Sequence, residues 1–160
     1  MPPPGNVFTC AGCGFTLYFS AANAVAAFVR RDDGRVLLIR RAKEPAKGQL
    51  APPGGFVDLG ESAEEAVRRE LREEVGLELS EVAFLCSRPN EYPYKDVTYP
   101  VLDLFFTARA VASAMARALD DVESLAWLEP ERVAPEEIAF PSMREALALY
   151  ISRRRVQNGH

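Results

Sequence analysis

Glu70, Glu73 and Glu74 fall within one helical turn of this sequence. At about 100° per residue they share an arc beside an apolar stripe of Ala63, Val67, Leu71 and Val75, and Glu74 falls almost inside the stripe. A Glu-rich helix is most often just a solvated acidic face. That reading leaves two costs here. Like charges at neighbouring helical positions repel by roughly 0.2–0.5 kcal/mol per pair. A carboxylate beside a buried stripe also loses hydration. A bound divalent cation relieves both, because hard cations prefer carboxylate oxygens. Arg69, four residues from both Glu65 and Glu73, is placed to hold carboxylates in position.

Several elements must position this cluster. Ser62 and Glu65 form a capping box that starts a helix over 63–75, and Gly76 suits the left-handed residue that ends it. Residues 24–31 and 36–41 read as two strands joined through Asp32-Asp33-Gly34, a hairpin signal. Residues 42–56 carry three Pro and three Gly and are expected to be mostly loop. Residues 81–88, 101–110 and 122–128 read as strands. The Pro- and Tyr-rich stretch 89–100 is expected to be a surface loop. Met143, Leu147 and Ile151 recur at i+4 and predict a terminal helix over 141–155. The order lacks regular βαβ spacing, which favours a mixed sheet covered by helices.

The bulk composition fits one domain. At 160 residues the chain can bury a substantial core. A net charge of −4 gives no broad attraction for nucleic acid or an anionic membrane, so neither is an expected partner. There is no apolar run of transmembrane length and no signal-peptide pattern over Met1-Pro-Pro-Pro-Gly5. The odd count of three Cys points to a reducing, cytoplasmic compartment. Residues 1–6 read as a mobile Pro/Gly tail. The expected organisation is an N-terminal tail over 1–22 and one domain over 23–160.

The spacing Gly55, Glu61, Arg69-Glu70-Leu71, Glu73-Glu74, Gly76-Leu77 resembles the Nudix box at every fixed position. The resemblance extends to residues 23–41, Pro53-Gly54-Gly55-Phe56, Trp127 and Phe140-Pro141-Ser142. It implies an α/β fold: a Nudix α/β/α sandwich around a mixed sheet, with a catalytic loop–helix–loop. It also implies Mg2+- or Mn2+-dependent hydrolysis of a nucleoside diphosphate linked to a further group. On that pattern Glu70, Glu73 and Glu74, with the Gly55 carbonyl, are the expected metal ligands. Arg69 is the expected orienting residue, and Glu61 is expected to support the ligands or cap the loop. The base would be Glu70, or a residue on a later loop. Asp121, six residues before Trp127, is the candidate there, ahead of Glu123.

Two features hint at the substrate. Ser87-Arg-Pro-Asn-Glu-Tyr-Pro93 resembles a signature of NADH pyrophosphatases in Ser87, Pro89, Tyr92 and Pro93, and departs at Arg88, Asn90 and Glu91. Tyr92 or Tyr94 could stack a base there. Strand alternation sends Arg40 and Arg41 to opposite faces, so one of them can meet a phosphate. Dinucleotides and ADP-ribose-like diphosphates are the leading substrates, with nucleoside triphosphate sanitising as the alternative within the family. A non-catalytic nucleotide sensor is the reading from another class. The intact carboxylate set argues against that reading, and no DNA-binding appendage is recognisable.

Cys10-Ala-Gly-Cys13-Gly14 resembles one knuckle of a zinc ribbon. Structural zinc takes four ligands, and two thiolates supply half of them. Cys86 reads as a core thiol, and His160 stands at the far end of the chain. Zinc at Cys10 and Cys13 is therefore not expected within one chain, although two chains could share a site as a homodimer. Metal analysis of protein purified without chelator, combined with its mass in solution, should find far less than one zinc per monomeric chain. One zinc per monomer would contradict this expectation, and half a zinc per chain in a dimer would establish the shared site.

Overall fold

The structure is a computed structural model and describes residues 5–111 and 115–158. Most of the tail expected over 1–6, and all of His160, lie outside the described residues. The elements are β1 (Val7–Thr9), β2 (Thr16–Tyr18), β3 (Ala22–Arg30), β4 (Val36–Arg41), β5 (Leu50–Ala51), β6 (Gly54–Phe56), α1 (Ala63–Val75), β7 (Leu79–Tyr94), β8 (Val97–Ala110), β9 (Val122–Leu128) and α2 (Pro141–Asn158). β1 and β2 pair as a separate hairpin whose connecting turn carries Cys10 and Cys13. Among the described residues, no helix is long and apolar enough to cross a membrane.

A seven-stranded mixed sheet forms the body, in the order β5-β4-β3-β8-β7, with β6 on β3 and β9 on β4. β3 and β8 are parallel, and the other pairs are antiparallel. β3 is apolar almost throughout because both of its faces are covered. Val25, Ala27 and Val29 join the core under α1, together with Leu37, Ile39, Phe106 and Ala108. Ala26 and Phe28 face the other way, into the core under α2 with Val36, Leu38 and Phe105. This period-two split produces the α/β/α sandwich.

α1 forms as its sequence dictates. The Ser62 hydroxyl accepts from the Glu65 amide at 3.2 Å, and the Glu65 carboxylate accepts from the Ser62 amide at 2.7 Å. Gly76 ends the helix at φ 68°. Ala66, Val67, Leu71 and Val75 are buried, so Ala66 takes the core place expected for Ala63, which is only half-buried.

The stretch 89–100 is not a loop. β7 and β8 form one long hairpin that turns at Lys95-Asp96, with Pro89 opposite Leu102, Tyr92 opposite Tyr99 and Tyr94 opposite Val97. β7 is the edge of the sheet, so its prolines can leave their missing N–H groups on the open side. Pro100 lies just before Val101, where pairing with β3 ends, and disturbs no third strand. Cross-strand aromatic pairs such as Tyr92 with Tyr99 then favour pairing over a loop.

β6 approaches β3 very closely. A Cβ on Gly54 would lie 1.9 Å from the Val25 carbonyl oxygen and 2.6 Å from the Ala26 Cα, both backbone atoms that cannot move aside alone. Gly54→Ala should therefore cost at least about 3 kcal/mol and lower Tm by roughly 6–12 °C. A thermal melt within 2 °C or so of wild type would refute this packing. Ser62→Ala removes one capping acceptor and should cost about 1 kcal/mol, a Tm loss of roughly 2–4 °C. An unchanged midpoint in urea would show that the cap contributes nothing.

Candidate active site

α1 carries its carboxylates to the mouth of a cleft of about 480 Å³. β3, β4, β6, the ends of β7 and β8, and the start of α2 build its walls. Glu70 and Glu74 line the cleft, with Gly54, Gly55, Asp58, Asp121 and Arg41. Glu73 does not line it; its side chain is half exposed at the rim. A Cβ on Gly55 would lie 2.5 Å from the Glu70 carboxyl carbon, so glycine leaves that carboxylate its space.

One guanidinium organises the cluster. Arg69 donates from Nε and Nη2 to the two Glu61 oxygens at 3.1 and 2.5 Å. Nη1 reaches Glu70 at 2.8 Å and Glu73 at 3.3 Å, and Nη2 also reaches the Phe56 carbonyl at 3.0 Å. These bonds hold the Glu61 carboxyl below the usual carboxylate range, through the Arg69 contact first and the Asp58 amide second. Glu74 lies outside this clamp. Its Oε2 accepts from the Gly54 amide at 2.9 Å. Burial nevertheless pushes its pKa up to about 8, with the negative charge of Glu70 adding to the effect. Burial also raises Glu70, against the pull of Arg69. Among the described residues, no three acidic, Cys or His side chains converge as a ready metal cage. The reason is geometric: Arg69 draws Glu70 and Glu73 to itself, and the Gly54 amide holds Glu74. The donor set nonetheless suits a hard divalent cation. Two partly buried carboxylates carry a desolvation cost that such a charge offsets, and Gly55 keeps the backbone open beside them.

The remaining predicted residues separate cleanly. Arg41 lines the cleft, donates to the Pro45 carbonyl at 2.8 Å and lies over the Phe140 ring at 5.2 Å. Arg40 points the other way and donates to the Gly48 carbonyl at 2.9 Å, outside the cleft. The expectation that one of the two meets the site therefore selects Arg41 by position. Tyr92 lines the cleft and packs edge-on against Phe56 at 5.4 Å and tilted against Phe140 at 5.8 Å. Tyr94, half exposed, also lines the cleft, with Lys95 over its ring. Asp121 also lines the cleft. Its backbone is in the left-handed region at φ 57°, and its carboxylate pairs with Lys43. Glu123 does not line the cleft.

Sequence reasoning passed over Phe56 and Phe140 as wall residues and missed Asp103 altogether. Asp103 is only 7% exposed, lines the cleft, and accepts from the Ser142 hydroxyl at 2.6 Å; burial raises its pKa. The signal was present: it is the one acid inside the apolar run 101–110.

A family model described as the NUDIX domain matches residues 21–150. The NAD-capped RNA hydrolase NudC of Pseudomonas aeruginosa is 29% identical over 149 residues, which cover 93% of this chain and 51% of that protein. An ADP-ribose pyrophosphatase of Methanocaldococcus jannaschii is 49% identical over 63 residues, 39% of this chain and 37% of that protein. This chain thus spans about half the length, or less, of these curated relatives. The crystal structure of a MutT NUDIX hydrolase from Burkholderia pseudomallei matches with a TM-score of 0.70 at 30% identity, covering 81% of this chain and 98% of that one. With the family model spanning most of its length and the carboxylate helix set on the matching frame, this chain belongs to the NUDIX family.

Proposed function

We propose that the chain hydrolyses the diphosphate bond of a dinucleotide or an ADP-ribose-like nucleotide, with Mg2+ or Mn2+. The observation that carries this reading is the pair of partly buried carboxylates, Glu70 and Glu74, facing a cleft beside the glycine backbone of Gly54 and Gly55. Glu70, Glu73, Glu74 and the Gly55 carbonyl are the groups that would hold the cation. When bound, the cation neutralises the diphosphate and makes a bound water more acidic. Arg41 faces the phosphate oxygens. Phe56, Tyr92 and Phe140 offer an aromatic wall for a base or nicotinamide ring.

Water attacks one phosphorus, the bridging oxygen leaves with the other phosphate, and two phosphomonoesters and a proton result. Asp121 is the group we assign to take that proton. It lines the cleft, and its charge reaches Glu74. The names of the relatives, an NAD-capped RNA hydrolase and an ADP-ribose pyrophosphatase, support the substrate class.

The test is a panel of NADH, NAD+, ADP-ribose, diadenosine polyphosphates and dNTPs, read by product chromatography with Mg2+, Mn2+ or EDTA. The expected result is cation-dependent release of nucleoside monophosphate from the dinucleotides or ADP-ribose ahead of the dNTPs. Glu74→Gln should retain the fold by circular dichroism and lose more than the roughly 10–100-fold that a mere supporting residue would cost. Tyr92→Ala should raise KM for the preferred substrate, since such ring contacts contribute about 0.5–1.5 kcal/mol. Near-wild-type turnover in Glu74→Gln, or turnover in EDTA, would end this reading.

A further inference from the structure

A second recess lies away from the cleft. The C-terminal half of α2 and parts of β3, β7 and β8 enclose a groove of about 300 Å³. Arg30, Arg109, Arg153 and Arg154 line it, and Glu81 is the one carboxylate among the lining residues. This gathering of guanidinium groups occurs in a chain of net charge −4. Arg109 is already engaged, pairing with Asp32 and lying 3.7 Å from Glu81. Arg154 has Glu131 at 3.7 Å. Among the described residues, Arg30 and Arg153 have no ion-pair partner.

A row of solvated surface arginines would need no further account. A buried donor beside them does. Tyr150 is only 5% exposed, and its ring stacks on Phe28 at 5.2 Å with the Arg154 guanidinium above it. Its hydroxyl is buried without a hydrogen-bond partner among the described residues, whereas the buried Arg154 Nη1 is the atom that faces Glu131. Buried polar groups are ordinarily satisfied, so the Tyr150 hydroxyl asks for an acceptor. Thr107 and Gln157 line the same groove and add neutral donors. The two unpaired guanidinium forks of Arg30 and Arg153, a phenol and neutral donors around a small recess match the oxygens of a phosphate group.

We propose that this groove binds a phosphate group, either as inorganic phosphate or as the phosphomonoester end of a nucleotide. The site is separate from the carboxylate cleft and does not depend on what that cleft hydrolyses. The test uses the full chain in EDTA at fixed ionic strength, titrated with inorganic phosphate and with AMP, and followed by calorimetry and by amide chemical shifts. Arg30 and Arg153 are exposed and lie outside the cleft, so the R30Q/R153Q double variant should fold and hydrolyse normally. Tyr150→Phe keeps the ring and removes the hydroxyl. Glu73→Gln serves as the cleft control.

The expected result is saturable binding with one site per chain and shifts at Thr107, Arg109 and Gln157. R30Q/R153Q should weaken it by about tenfold or more, Tyr150→Phe by less, and Glu73→Gln not at all. AMP binding tighter than phosphate assigns the site to a nucleotide, and equal binding assigns it to phosphate alone. No saturable binding at millimolar concentrations, affinity unchanged in R30Q/R153Q, or loss of binding in Glu73→Gln would each overturn the proposal.

Discussion

The guanidinium of Arg69 has five N–H groups, and all five meet an acceptor: two oxygens of Glu61, one each of Glu70 and Glu73, and the carbonyl of Phe56. Those acceptors come from β6, from the loop ahead of α1, and from the helix itself. Three acids that would otherwise repel are thereby fixed around one planar cation, and the loop–helix junction is fixed with them. A lysine could not substitute, since a single ammonium presents a point charge rather than a fork. Glu74 stands outside this arrangement, partly buried beside the Gly54 amide, which is why its carboxyl rather than those of its neighbours is left short of positive charge.

Much of this was legible in the residues. The cap at Ser62, the stop at Gly76 and the arc of acids are local features, and local features survive folding. The helix consequently runs over the residues its sequence indicated. Arg40 and Arg41 were separable only as a pair of opposite faces; which one enters the cleft depends on where β9 and β5 flank β4. The hairpin over 89–100 was hidden because proline signals a break unless a strand is known to be an edge, and edge status is a property of the whole sheet. The aromatic wall was hidden for a related reason: Phe56, Tyr92 and Phe140 come from three elements far apart in the chain. Asp103 was readable as an acid in an apolar strand, but its partner Ser142 belongs to α2.

The two recesses divide the molecule's charge. The cleft concentrates carboxylates and holds Arg41 and Lys43 at its margin, whereas the groove under the end of α2 concentrates guanidinium groups. Both are assembled from opposite ends of the same strands: Ala24 to Ala26 of β3 line one, and Arg30 lines the other. A rigid sheet thus keeps the two regions of opposite sign apart, and the low net charge of the chain conceals both.

The parallel pairing of β3 with β8 has a consequence for how the chain reaches this state. Val25 must find Leu104, and every residue of α1 and β7 lies between them in sequence. Contacts of such separation close long loops before they return any stabilisation, so they form late and slowly. During synthesis the apolar run of β3 leaves the ribosome well before β8 exists, with β4, β6 and α1 able to cover only part of it. Until β8 arrives, one edge of this apolar strand stays open to other chains, and that interval is when the protein is most exposed to aggregation.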